Sequence, residues 1–177
     1  FNQQQVGRVA SAQLGGIAIG SFLNLWLIKI MSWRRIAYFG LTCLLITDIV
    51  SMFVTDYSAF VLIRLLSGSA GGICVSFGAY ALGSTLKADR NFGLFLSVQV
   101  ISAIVANMFL PGIVQANGVI SIFIALVILE LLILFLLIHN IPNLDVQDQQ
   151  ARGVNSRKVW VYCILQLVAV LFFFTAL

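Results

Sequence analysis

Val119–Ile138 reads VISIFIALVILELLILFLLI, an unbroken apolar run interrupted only by Ser121 and Glu130. It reaches the roughly 20 residues that a helix needs to cross a bilayer. A strand of a membrane barrel would alternate apolar and polar residues over about ten positions, and this run does not alternate. The rest of the chain repeats the pattern. Hydrophobic residues make up 61% of the sequence and charged residues 9%, against about a quarter charged in a soluble domain. Lipid as solvent requires every backbone polar group to be satisfied inside a helix or closed barrel. The continuous runs select an all-α, polytopic transmembrane helix bundle.

Five complete spans and the start of a sixth are expected: Val9–Ile28, Ile36–Val54, Ala59–Thr85, Phe92–Val114, Gly118–His139, and one from Val159 onward. Asp56-Tyr57-Ser58 and Gln115-Ala116-Asn117 read as tight polar turns, and Lys29–Arg35 and Leu86–Asn91 as basic loops. Such short links make neighbouring spans antiparallel. Asn140–Lys158, with Pro142, two aspartates and three basic residues, is too polar to enter a bilayer. The expected organisation is a bundle over 1–139, a cytoplasmic linker over 140–158, and a truncated span over 159–177. Phe1 in place of Met, and an end at Leu177 inside an apolar run, suggest a fragment with an earlier helix missing.

The basic residues orient the spans. Lys29, Arg34, Arg35, Lys87, Arg90, Arg152, Arg157 and Lys158 all fall on one side, and only Arg8 falls on the other. The positive-inside rule places the first set in the cytoplasm. The formal charge of +4 therefore reflects orientation, and nucleic acid is not an expected partner. Cys43, Cys74 and Cys163 lie within apolar runs and read as free thiols with a packing role. No metal site, phosphate-binding loop or nucleophile set is present, so no metal, no cofactor and no enzyme activity is expected.

The third span carries the most chemistry. In FVLIRLLSGSAGGICVSFGAYALGS from Phe60, the residues Arg64, Gly68, Gly72 and Ser76 recur every four positions and share one helix face. The glycines admit a close neighbouring backbone. Arg64 either snorkels to the interface or faces the interior, where it pairs with a carboxylate or an anionic group. Asp48 and Glu130 lie deeper in their spans. An ionised Asp at a helix centre costs roughly 2.5–3.5 kcal/mol, so each acid is a coupling or substrate-charge candidate, or a carboxyl held neutral or bonded to another helix. Ala12, Gly16, Gly20 and Asn24 form a second four-residue stripe. Gln99, Ala103, Ala106, Asn107 and Leu110 form a third, with a kink expected at Pro111. Gln13, Asn24, Gln99 and Asn107 could line a polar pathway, or pack helices together with Gly68 and Gly72. Gln13, Gly16 and Gly20 also match Gln99, Ser102 and Ala106 at one constant offset, and Asp48 and Glu130 stand at nearly the same offset. Internal repeats of this kind mark secondary transporters.

Arg64-Leu-Leu-Ser-Gly68-Ser-Ala-Gly71 is similar to the fourth-helix motif of the major facilitator superfamily, an Arg followed by Gly and small residues. Arg34-Arg35 stands in register with the end of the family's loop motif, although Trp26, Ile30, Met31 and Trp33 replace its other positions. Pro111 matches the antiporter signature, and Ala106, Leu110, Val114 and Gln115 replace its glycines. The resemblance covers the whole chain and implies the second to sixth helices of the N-terminal half of a major-facilitator-type fold, followed by the start of the seventh. It implies a proton-coupled transporter of a small organic solute, working by alternating access with a missing C-terminal six-helix half in a bacterial cytoplasmic (inner) membrane. Arg34 and Arg35 would belong to the cytoplasmic gate loop. The competing expectation is a non-transporting sensor or assembly subunit on the same scaffold.

Overall fold

A computed structural model describes residues 3–83, 87–118 and 120–140. Five helices follow one another: α1 (Gln3–Ile30), α2 (Trp33–Ser51), α3 (Tyr57–Gly83), α4 (Ala88–Asn117) and α5 (Ile120–Asn140). The linker beyond Asn140, the expected sixth span and Cys163 lie outside the described residues.

The helix boundaries correct the sequence reading at the turns. Ser32 is extended, at φ −65° and ψ 148°, and α2 starts at once with Trp33, whose ring is buried edge-on against Phe77 (5.5 Å between centroids) and Tyr80 (5.7 Å). Arg34 and Arg35 therefore sit in the first turn of α2 rather than in a loop. Tyr57 and Ser58 are helical rather than turn residues, because Asp56 caps α3: its Oδ2 accepts a hydrogen bond from the Ala59 amide at 2.9 Å. Gln115–Asn117 continue α4, which runs helical through Pro111. The reversal falls on Gly118, at φ 77°, a backbone region that residues with a Cβ rarely enter. The Gly118 amide closes the helix by donating to the Val114 carbonyl at 2.8 Å. Asn140, expected to open the linker, is helical and the last described residue of α5.

Glycines set the packing. A Cβ at Gly16 would strike the Leu65 carbonyl, one at Gly20 the Ser69 carbonyl, one at Gly68 the Gln13 carbonyl, and one at Gly72 the Ile17 carbonyl. Moving four residues along α1 moves the contact four residues along α3, so the two helices run parallel and nearly touch backbone to backbone. Ser21 Oγ donates to the Gly72 carbonyl at 3.3 Å across the same seam. On another side, α3 meets α2, where a Cβ at Gly40 would strike Cys74 Sγ. Cys74 is buried and Cys43 half-buried, and neither is in a disulfide. α2 in turn packs on α5.

Two apolar clusters result. One joins Ile28, Trp33, Ile36, Leu41, Phe77 and Ile133; the other joins Ile122, Phe123 and Leu126 with Met52 and Phe60. Leu126, Glu130 and Ile133 follow helical spacing on α5, which sets Glu130 between the two clusters.

The outer surface carries many large apolar side chains. Trp26, Phe22, Leu62, Ile104, Met108 and Phe135 are all exposed. Exposed apolar area on this scale marks a surface that meets lipid or another chain. Among the described residues, two helices, Gln4–Ile30 and Tyr57–Gly83, are long and apolar enough to cross a membrane, consistent with an integral membrane protein.

Candidate functional site

α2 delivers Asp48, α3 delivers Arg64 and Ser67, and α5 delivers Glu130. All four are buried, with relative exposures of 0% for Asp48, 3% for Arg64, 0% for Ser67 and 1% for Glu130. Arg64 Nη1 lies 3.4 Å from Asp48 Oδ1. Ser67 Oγ donates to the same Oδ1 at 3.3 Å. The guanidinium is flanked by two rings, with its Cζ 4.6 Å from the Phe123 centroid and 5.3 Å from the Phe60 centroid, within the range of cation–π attraction. Glu130 stands in electrostatic reach of both Asp48 and Arg64. Arg64 thus faces the interior and does not snorkel.

The position of the cluster follows from the helix rise of 1.5 Å per residue. Asp48 is about 5 Å from the end of α2 at Ser51, Arg64 about 10 Å into α3, and Glu130 about 15 Å into α5. The long arginine side chain bridges these levels. The cluster lies between the two apolar clusters, toward the α2–α3 turn.

The polar bonding is incomplete. Among the described residues, and with both acids ionised, Asp48 Oδ2, Arg64 Nε and Nη2, and both oxygens of Glu130 are buried without a hydrogen-bond partner; a proton on either acid joins Asp48 and Glu130 side chain to side chain. The ion pair itself, at 3.4 Å, is longer than the roughly 2.7–2.9 Å of a charge-assisted hydrogen bond. Buried unpartnered polar atoms are few in native proteins, and each calls for an explanation. Two carboxyls face one guanidinium, so with both ionised the cluster carries one net negative charge. A proton shared by the carboxyls makes it neutral, the state that a low-dielectric interior favours.

The other sequence candidates lie elsewhere. Gln13 is buried, with its backbone carbonyl against Gly68. Asn24 is fully buried at the far end of the α1–α3 seam, and neither amide atom has a hydrogen-bond partner among the described residues. Gly68 and Gly72 serve the seam. Gln99 is half-buried and Asn107 exposed on α4. Arg34 lies 5.7 Å above the Tyr38 ring, and Arg35 is exposed. Among the described residues, no group of three or more His, Cys, Asp or Glu could hold a metal ion.

Sequence reasoning missed Ser67, Phe60 and Phe123. The first two were within reach of it: Phe60 and Ser67 stand four before and three after Arg64 and so share its face. Phe123 stands two turns before Glu130, but no spacing rule ties it to α3. No family model matches the chain, nor does any curated protein or solved structure.

Proposed function

We propose that the chain forms the N-terminal half of a major-facilitator-type secondary transporter that moves a small organic solute with protons across a bacterial cytoplasmic membrane. The observation that supports this is the buried Asp48–Arg64–Glu130 cluster, contributed by three different helices. Ionisable residues inside a membrane bundle are expensive to keep, and they mark ion pathways and proton relays. A purely structural ion pair needs one acid. The second acid, with both oxygens unpartnered among the described residues, gives the cluster a place to take up and release a proton.

In this reading the mechanism is alternating access. The halves rock about the solute site between them, and the glycine seam of α1 and α3 moves as one rigid pair. Coupling requires that solute and proton bind one state better than the other. Asp48, itself held by the Ser67 hydroxyl, pairs with the guanidinium, and Glu130 exchanges the proton. The partners are the solute, protons, lipid and a second six-helix half; no cofactor takes part.

The test is solute uptake into proteoliposomes carrying the full-length protein, with and without an imposed pH gradient. Uptake that rises with the gradient supports the proposal. A sensor or assembly subunit on the same scaffold gives no uptake in either condition.

A further inference from the structure

We infer that the Asp48–Arg64–Glu130 cluster binds a small zwitterion, a solute carrying both a carboxylate and an ammonium group, such as an α-amino acid. This rests on the transporter reading and names its substrate class.

The unpartnered atoms specify the ligand. Arg64 spends Nη1 on Asp48. Its Nε and Nη2, unpartnered among the described residues, together form one edge of the planar guanidinium, the fork that takes a carboxylate through two parallel hydrogen bonds. Asp48 Oδ2 and the Glu130 oxygens are acceptors for an ammonium group; the proton that joins the Asp48 and Glu130 side chains takes one of them, and the remaining lone pairs face the solute. A zwitterion satisfies both sets at once.

Charge argues the same way. With both acids ionised the cluster carries one net negative charge, and a zwitterion adds none. One accompanying proton then makes the loaded site neutral, so solute and proton travel together. A simple amine leaves the arginine edge unpaired. A simple carboxylate adds a second negative charge to a buried site that already holds one. The flanking Phe60 and Phe123 rings exclude water and strengthen the polar contacts.

The rival occupant of the arginine edge is Glu130 itself, through a change of side-chain rotamer. The experiment separates the two. Full-length protein in proteoliposomes is offered each common α-amino acid beside its decarboxylated amine and its deaminated acid. The expected result is uptake of one or more amino acids about tenfold or more above both matched analogues, because a buried polar site rejects a ligand that leaves its groups unpaired. Arg64→Lys keeps the charge and loses the fork, and should lower that uptake about tenfold or more with thermal unfolding close to wild type. Absence of uptake for every amino acid, or equal uptake of an analogue, overturns the inference. If some other solute is then driven by the pH gradient, the transporter reading survives alone. If no solute is driven, both fall.

Discussion

Arg64 Nη1 stands 3.4 Å from Asp48 Oδ1 between helices α3 and α2, and a second acid, Glu130 of α5, stands in electrostatic reach of both. The pair is buried, so its energetics are those of uncompensated charge. Removing one partner of a buried pair costs about 3–5 kcal/mol, whereas replacing both with apolar groups is often neutral. Asp48→Ala should therefore destabilise strongly. Arg64→Met with Asp48→Leu should recover much of the loss. Thermal unfolding in detergent reads both variants, and equal stability of Asp48→Ala and wild type would contradict the pairing.

The α1–α3 seam makes a second prediction. Gly20→Ala places a methyl group against the Ser69 carbonyl, and Gly72→Ala places one against the Ile17 carbonyl. Backbone cannot rotate away, so each change should cost about 1–3 kcal/mol or more. At Gly15, one residue from Gly16, an added Cβ would meet nothing within 4 Å. Gly15→Ala should be neutral, or stabilising by up to about 1 kcal/mol through helix propensity. The same unfolding assay compares them, and equal effects at Gly15 and Gly20 would refute the seam.

Topology gives a third. Single cysteines at Ser58→Cys and Gln149→Cys should label from opposite sides of the membrane, the second from the cytoplasm, as the basic residues direct. Labelling from the same side would overturn the orientation.

Gly118 gives a fourth. At φ 77° and ψ 172° Gly118 occupies a region that essentially only glycine enters, so Gly118→Asn, although asparagine suits the left-handed helical region, strains the α4–α5 reversal as Gly118→Ala does. Both variants should lose folded protein relative to wild type in size-exclusion chromatography, and an undiminished asparagine variant would contradict the strained reversal.

The helices were legible because apolar runs of membrane length admit one solution. The glycine face of Gly68 and Gly72 was legible from four-residue spacing. Asp48, Arg64 and Glu130 were legible one by one, as charges in apolar spans, but not as a cluster. Which faces of α2, α3 and α5 turn toward one another depends on helix rotation, and that is set by contacts such as Gly40 on Cys74 and Gly71 on Leu44. Spacing within one helix carries no such information. The turns were misplaced because polar residues such as Gln115 and Asn117 remain helical when a single glycine makes the reversal.

The proposed coupling is tested most directly by measuring pH-gradient-driven solute accumulation in proteoliposomes of the full-length protein and its Glu130→Gln variant. Glutamine keeps the size of the side chain and removes its exchangeable proton. Accumulation is expected in the wild type. The variant should lose accumulation while retaining solute exchange in the absence of a gradient. Equal gradient-driven accumulation in the two proteins would contradict a proton-exchanging role for Glu130.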